Sequence, residues 1–444
     1  MTKQLFKLAM GVVLAAGITG CDAYDLDAVQ PIDSVPLDLA VTDANSAGAA
    51  RAGVYDAMQD ADLTFDGYVA SYTYFSDDTD WTGTFPTRAQ FDNYNVLPSN
   101  GTMGTVWEEY YTVINTANNL LEVLPTVEDP SLTDDVRNSL LAEARFGRAI
   151  AYFHLVTGWG GVPLILTPTT SVGEELNVPA STAEQIYDQV ISDADFAANN
   201  LGAGSLGMNR EAANALLARI ALMQGRYSDA GTFATAAIGA DYDLTDVPYL
   251  EDEIFYLKFS STDGQSNAFF FGPDALGGRY SIAPSAKLYD AYEEGDARFA
   301  LSVDTLGGRR YGLKYDNFSA ASGSQDDPIY FFRAAEQVLI LAEVAARDGD
   351  FDTAEMWINQ VRNRAGLDDI EDMDDSNYLD YILQERYVEL AMEGGFRLWD
   401  LRRTGRAVEV LGADGYDPCD DVWPFPQDNI DTNTALEQNN CCNC

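Results

Sequence analysis

Two separate segments of the chain carry the same apolar pattern, which restricts the possible folds more than any other feature of the sequence. Within residues 213–221 and again within residues 335–346, apolar side chains recur at helical spacing. A glycine turn follows each segment, at Gly225 and at Gly349, and a second apolar helical face begins after each turn. Alanines occupy many of the positions where two helices must approach: Ala213, Ala221, Ala230, Ala234, Ala335, Ala342 and Ala354. Each segment therefore predicts a closely packed antiparallel helical hairpin.

Such hairpins are typical of tetratricopeptide repeats. Further helices are predicted over residues 106–124, 133–157 and 181–199. The two hairpins lie too far apart in the sequence for a simple tandem array, and the segment between them is rich in Gly, Ser, Asp and aromatic residues. We therefore predict a mainly α fold in a single domain over residues 46–444. Its tetratricopeptide-like helical hairpin scaffold is interrupted by a large irregular, loop-rich insertion at about residues 240–330.

The first twenty residues have the pattern of a bacterial lipoprotein signal peptide. Lys3 and Lys7 precede a short apolar stretch that is too short to span a bilayer. Small residues lie directly before Cys21, which predicts cleavage before this cysteine and its lipidation. The alternative is an ordinary secretory signal followed by an incidental cysteine. Residues 21–45 are predicted to be a tether that leads away from the membrane.

The net charge of −45 excludes some partners. Such a field repels nucleic acid and anionic lipid. Because the charge is spread over the whole chain, it is typical of a solvated surface suited to high salt, where screening shortens the range of self-repulsion. An ordinary acidic secreted protein is the alternative.

Four cysteines lie near the C-terminus, at Cys419, Cys441, Cys442 and Cys444. In an exported chain they can form two disulfides in three connectivities. A zinc site is the alternative, but the adjacent Cys441 and Cys442 fit poorly with the usual ligand spacing. We therefore expect disulfides or unpaired thiols and no metal.

Three blocks of sequence, residues 143–164, 385–403 and 423–439, resemble the SusD/RagB family of outer-membrane nutrient-binding lipoproteins. The first block ends in a Gly-Gly-Val-Pro-Leu turn, and the second contains Phe-Arg-Leu-Trp-Asp-Leu-Arg-Arg. The sequence differs from the commonest family pattern by one extra residue between Gly394 and Arg397, and by its cysteine-rich tail.

The resemblance implies a SusD-like fold in a cell-surface protein of the outer membrane that binds ligands without catalysis. It also implies that the protein captures oligosaccharide or peptide nutrients and delivers them to a SusC-like TonB-dependent barrel transporter. Two other classes remain open, a surface-anchored hydrolase and a structural lipoprotein that binds other proteins through its helices.

The residues themselves also argue against an enzyme. The sequence has no G-x-S-x-G, H-E-x-x-H, phosphate-binding loop or dinucleotide fingerprint, and it predicts no cofactor. Its single histidine, His154, lies among apolar helical neighbours, which favours a packed position. Glutamates recur every four residues at 385, 389 and 393, and Arg386 and Arg397 are placed to pair with them across helical turns. We interpret this stripe as a structural ion-pair network rather than a catalytic carboxylate pair.

Aromatic residues in polar segments are the candidate ligand-binding residues, because carbohydrate sites combine flat aromatic platforms with hydrogen-bonding side chains. The candidates are Tyr74, Asp80 and Trp81 in a predicted loop, and Phe270, Arg279 and Tyr280 in the insertion. The alternative for residues 269–271 is a buried strand. A calcium site at Asp77, Asp78 and Asp80 is a further alternative, although the loop lacks the EF-hand spacing.

Overall fold

The computed structural model of the protein describes residues 40–169, 177–204, 207–260, 262–317 and 326–442. Cys21, the predicted signal peptide and most of the predicted tether lie outside these residues. Among the described residues, one helix begins at Ala44 behind its N-cap Asp43, just before the predicted end of the tether.

Helices predominate in the described residues, which confirms the mainly α prediction. They are α1 (Ala44–Met58), α2 (Ser71–Tyr74), α3 (Pro86–Asp92), α4 (Gly101–Val123), α5 (Asp134–Trp159), α6 (Ala183–Asn200), α7 (Arg210–Met223), α8 (Tyr227–Ile238), α9 (Asn267–Phe271), α10 (Ala286–Ala291), α11 (Phe299–Ser302), α12 (Ala334–Arg347), α13 (Phe351–Arg364), α14 (Tyr378–Glu389), α15 (Phe396–Arg403), α16 (Ala407–Leu411) and α17 (Gln427–Thr432). A π-helical segment, Leu63–Ala70, runs directly into α2.

Both predicted hairpins are present, as α7 with α8 and as α12 with α13. The side chain of Asn209 caps α7 by accepting the Ala212 N–H at 2.7 Å. The turn glycines adopt left-handed φ angles of +69° at Gly225 and +78° at Gly349. A side chain at either position would be strained, so the glycines of the sequence pattern are required by the turns.

The two hairpins are neighbours in space despite their separation in the chain. Helix α8 packs against α12, so the second hairpin continues the array that the first begins. Gly231 allows this approach, since a Cβ atom there would lie 3.1 Å from a methyl group of Val344. Helices α4 to α7 pack in chain order on the other side of α8. The predicted helical scaffold with an insertion between its hairpins is confirmed.

Short antiparallel strands supply the rest of the regular structure. They are β1 (Thr79–Trp81), β2 (Glu253–Leu257), β3 (Ile282–Pro284), β4 (Val303–Leu306), β5 (Arg309–Gly312) and β6 (Ile329–Arg333). Strand β1 pairs with β3, β2 with β6, and β4 with β5. Most buried hydrophobic residues between Val41 and Leu436 form one contiguous cluster, and a smaller one lies between α7, α8 and α12. This continuity supports our proposal that the described chain is a single domain.

The glutamate stripe on and after α14 is buried and ion-paired, as interpreted from the sequence. Arg298 contacts Glu385 at 2.6 Å and Glu389 at 3.1 Å. Arg333 contacts Glu389 and Glu393 at 2.8 Å each. The network therefore joins the insertion to the helical scaffold.

The expected partners of this stripe were wrong. Arg386 binds Asp400 at 2.7 Å, and Arg397 binds Asp77 at 2.6 Å. The glutamates instead pair with basic residues from other elements: Arg298 in the insertion, Arg333 at the end of β6, and Arg362 and Arg364 in α13. Helical spacing shows only which residues of the same helix could meet.

Glu389 lies at the centre of this network. Burial disfavours its charged form, but Arg364, Arg333, Arg298 and Lys314 outweigh that effect and hold the pKa of Glu389 well below its usual value. Removing any one of these partners would leave buried charge incompletely compensated.

The tail contains a disulfide between Cys419 and Cys442, and Cys441 is also disulfide-bonded, in agreement with the disulfide interpretation. Cys444 lies outside the described residues. In the described part of the chain, no helix is both long and apolar enough to cross a membrane.

Candidate functional site

Pairing of β1 with β3 brings together the two segments that contain the predicted ligand-binding residues, 74–81 and 270–280. Trp81 lies opposite Ile282 in this pair. Beyond the strands, the Thr82 hydroxyl donates to the carbonyl oxygen of Tyr280 at 2.7 Å, and the Thr82 N–H donates to that of Ser281 at 3.1 Å. The predicted candidates from both segments therefore lie on one side of the molecule.

Trp81 is half-buried at the end of β1, so the prediction that it lies in a loop was wrong. Its indole meets the ring of Tyr74 edge-on, with centroids 5.6 Å apart and an interplanar angle of 88°. The six-membered ring lies over Gly83, where a Cβ atom would come within 2.4 Å of it. These contacts fix the orientation of the indole and leave part of it exposed.

Tyr74 lies beneath the candidate surface and is 1% exposed. Its hydroxyl donates to the carbonyl oxygen of Ser281 at 3.3 Å, and burial raises the pKa of the phenol well above its usual value. The ring therefore supports Trp81 from below, whereas the sequence analysis expected direct contact with ligand. Asp80 remains half exposed in its side chain and is ion-paired with Arg310 at 3.4 Å.

Phe270 belongs to the short helix α9, not to a strand. Its ring stacks on Phe65 with centroids 4.2 Å apart. The guanidinium of Arg88 lies 4.8 Å from the centroids of both rings and forms two hydrogen bonds with Asp66, at 2.8 and 2.7 Å. Phe65, Asp66 and Arg88 were not predicted from the sequence, because nothing in their local pattern distinguishes them from ordinary helical residues.

Arg279 and Tyr280 complete the surface together with two residues that the sequence analysis also missed. The guanidinium of Arg279 lies 4.5 Å from the centroid of Phe85, an aromatic residue that is 41% exposed. The guanidinium of Arg309, next to the β4–β5 turn, lies 5.1 Å from the centroid of Tyr280. Tyr280 itself has a left-handed φ of +52°, two residues before β3. We call this surface the aromatic–arginine face: Trp81, Phe85, Phe270, Arg279, Tyr280 and Arg309.

The chemistry of this face suits a ligand with apolar faces and polar edges. Flat rings bury apolar C–H surface, and guanidinium groups donate hydrogen bonds in fixed directions. Sugar rings have both features.

The three aspartates that could have held calcium point to different partners. Asp77 accepts two hydrogen bonds from Arg397, at 2.6 and 2.9 Å. Asp78 is buried and accepts the Met392 N–H at 2.8 Å, and burial raises its pKa to about 7. Asp80 binds Arg310 instead. In the described residues the only cluster with metal-ligand geometry is Asp417 with Cys419 and Cys442, whose sulfurs are joined to each other.

His154 is buried within the core, as the sequence predicts. Its ring stacks on Tyr110 with centroids 5.6 Å apart and an interplanar angle of 7°. Burial, with a smaller contribution from Arg219, lowers the pKa of His154 to about 3, so the imidazole is neutral at physiological pH. This environment suits a packing residue.

Apart from the aromatic–arginine face, a cavity of about 340 Å³ lies beside α4 and α17, and we call it the α4–α17 cavity. Trp107 and Tyr111 line one part of it, and Asn115, Asn177 and Asn433 line another. Trp107 is only 3% exposed, and the Tyr111 hydroxyl already donates to the carbonyl oxygen of Pro163 at 2.8 Å. The cavity has the residue types of a sugar site. However, the Trp107 ring is buried, and the Tyr111 hydroxyl already has a hydrogen-bond partner.

Two sequence profiles match this chain. One, described as the SusD family, covers residues 306–421, and the other, described as "Starch-binding associating with outer membrane", covers residues 49–222. SusD-like protein P38 from Formosa agariphila is 27% identical over 428 residues, which span 80% of this chain and 83% of that protein.

Solved structures show the same fold. A laminarin-binding SusD-like protein has a TM-score of 0.76 at 23% identity, covering 90% of this chain and 99% of that one. Surface glycan-binding protein A from Bacteroides thetaiotaomicron, in complex with laminarihexaose, has a TM-score of 0.74 at 21% identity, covering 90% and 100%. The first is named as laminarin-binding and the second as glycan-binding. The two profiles and the curated relatives support the assignment of this chain to the SusD/RagB family.

Proposed function

We propose that this protein binds oligosaccharides at the aromatic–arginine face, without catalysis. The observation that carries the proposal is the pairing of β1 with β3, which brings together the segments that carry Trp81 and Tyr280. The names of the laminarin-binding and laminarihexaose-bound relatives support carbohydrate as the ligand class. In our assignment Trp81, Phe270 and Tyr280 offer rings to the sugar, Asp80 and Arg279 offer hydrogen bonds, and Tyr74 supports Trp81.

We further propose that the protein is anchored to the outer membrane through lipid on Cys21 and passes its ligand to a SusC-like TonB-dependent transporter. The lipoprotein pattern before Cys21 and the outer-membrane description of the matching profile support this location. Purification in mild detergent should then bring down a barrel protein of roughly twice this mass. Recovery of the lipoprotein alone under several detergents and salt levels would contradict the transport role.

The ligand class can be tested by affinity electrophoresis of the folded protein through gels that contain single polysaccharides, with a peptide panel tested in parallel by calorimetry. We expect at least one polysaccharide to slow migration, and the peptides to give no heat. Binding of peptides alone would favour the peptide alternative. Hydrolysis of any retarding polysaccharide, followed as release of reducing ends, would support the surface-hydrolase alternative.

A further inference from the structure

We infer that the aromatic–arginine face selects acidic glycans, which carry carboxylate or sulfate groups, over neutral ones. This inference rests on the proposed function and narrows its ligand class. It comes from the distribution of positive charge. Basic side chains are scarce in this chain, and most of the described ones form ion pairs with carboxylates away from this face.

Basic side chains are few and mostly paired. The chain has 26 lysines and arginines against 71 aspartates and glutamates. Among the described residues, the basic side chains that lack an ion pair with a carboxylate are Arg137, Arg210, Lys258, Arg279 and Arg309. Arg137 and Arg210 instead donate to backbone carbonyl oxygens. Two of the remaining three unpaired cations therefore lie on one small surface.

Both unpaired arginines are positioned by an aromatic ring. Arg279 lies over Phe85 and Arg309 over Tyr280, and both arginines are exposed. Stacking on a ring orients a guanidinium while leaving its N–H groups in the plane available. Within the described chain, no hydrogen bond from either guanidinium to a protein acceptor is formed. Their donors therefore face a ligand or water.

The neighbouring charges do not cancel these two. Arg310 is paired with Asp80 and also donates to the carbonyl oxygen of Pro284 at 3.0 Å. Arg88 is paired with Asp66. These two pairs are neutral overall. Asp92, which accepts the Trp81 N–H at 3.1 Å, adds one carboxylate without an ion pair among the described residues. Arg279 and Arg309 therefore leave the face with a net positive charge in a protein of net charge −45.

A carboxylate or sulfate on a sugar is a suitable partner for such groups. Guanidinium binds planar oxyanions through two parallel hydrogen bonds, and these charge-assisted bonds are stronger than those of neutral hydroxyl groups. Long-range repulsion from the acidic surface falls at high ionic strength, where the Debye length shrinks to about 3 Å at 1 M salt. A direct hydrogen bond between an arginine and an acidic sugar is about as short as this Debye length, so salt screens it less than it screens the long-range repulsion.

The test measures affinity by calorimetry for three oligosaccharide probes of similar length: carboxylated oligogalacturonate, sulfated carrageenan oligosaccharide and neutral laminarihexaose. We expect one acidic probe to bind at least about tenfold more tightly than the neutral probe. Arg279→Gln and Arg309→Gln should each weaken that acidic probe by about tenfold, the scale of one charge-assisted hydrogen bond. Lys258→Gln removes an exposed unpaired cation outside the face and should change nothing. Comparison of the two acidic probes decides between carboxylate and sulfate.

The controls distinguish failure of acidic selectivity from failure of carbohydrate binding itself. Thermal melting of each variant shows whether it is folded. Neutral laminarihexaose binding that equals acidic binding, with both glutamine variants at full affinity, would overturn the acidic selectivity while leaving carbohydrate binding in place. Absence of binding to all three probes, and to the polysaccharide gels, would overturn both.

Discussion

Arg397 and Asp77 are 320 residues apart in the sequence and form two hydrogen bonds of 2.6 and 2.9 Å. Arg397 lies in α15, within a sequence block that resembles the SusD/RagB family, and Asp77 lies two residues before β1. The backbone oxygen of Asp77 also accepts hydrogen bonds from Tyr387 and Ser285, at 2.6 Å each. This junction fastens the segment that carries Trp81 to the helical scaffold.

Breaking this ion pair should destabilise the fold. Both side chains are largely buried, 14% exposed for Arg397 and 4% for Asp77, so Arg397→Gln leaves a buried carboxylate without its partner. We expect a loss of about 3 kcal/mol in the free energy of unfolding, measured by urea denaturation. Arg406→Gln removes a more exposed pair with Asp380 and should cost less than about 1 kcal/mol. Equal effects of the two substitutions would contradict a structural role for Asp77 and Arg397.

Gly83 should control the position of Trp81. A Cβ atom there would come within 2.4 Å of the indole, so Gly83→Ala must displace the ring. We expect glycan affinity to fall by about tenfold, equivalent to about 1.4 kcal/mol, because stacking depends on ring position. Gly48→Ala on α1, where nothing lies within 4 Å of an added Cβ, is the matched control. Unchanged affinity in Gly83→Ala would mean that the indole does not contact the glycan.

Asp78 should make stability depend on pH. Burial raises its pKa in the folded protein to about 7, from 3.8 for the free group, so the folded state holds its proton over a range in which the unfolded state has lost it. This contribution to stability therefore falls as pH rises from about 4 to about 7.

Asp78→Asn removes this titration and keeps an acceptor for the Met392 N–H. The free energy of unfolding of Asp78→Asn minus that of wild type should therefore increase by about 2 kcal/mol between pH 5 and pH 8. Urea denaturation at several pH values measures it. A difference between the two proteins that stays constant with pH would show that Asp78 titrates normally.

The local parts of the fold were predictable from the sequence, and the long-range contacts were not. Hairpins such as α7 with α8 follow from apolar spacing and a turn glycine, which are properties of neighbouring residues. Glu389 was correctly placed in an ion-pair network, yet its partner Arg333 lies at the end of β6, and no helical periodicity relates the two.

The candidate site shows the same division. Trp81 and Tyr280 were selected because they are aromatic residues in polar segments, a local property. Their two segments are brought together by β1 and β3, strands of three residues each, which are too short to give a recognisable alternating pattern. Phe85 and Arg309 were missed because only tertiary structure places them beside Arg279 and Tyr280.

The acidic surface should make stability depend on salt. Most described basic side chains are already ion-paired, so many carboxylates repel one another without compensation. Raising sodium chloride from 0.01 to 1 M shortens the Debye length from about 30 to 3 Å, and the melting temperature should rise. Sucrose at matched osmolality controls for general exclusion of solutes from the protein surface. A melting temperature that responds to sucrose and salt alike would contradict adaptation of this surface to high salt.

The central claim is that Trp81 contacts bound sugar, and calorimetry of Trp81→Ala with a glycan that binds wild type tests it most directly. Removing the stacked indole should weaken binding by about 1–3 kcal/mol, the range for exposing one large apolar side chain. Because Trp81 also packs on Tyr74, some loss of stability is expected, and binding is measured well below the variant's melting temperature. Tyr111→Ala, in the α4–α17 cavity, should keep full affinity. Full affinity in Trp81→Ala, or loss of affinity in Tyr111→Ala alone, would contradict the account and place the sugar site elsewhere.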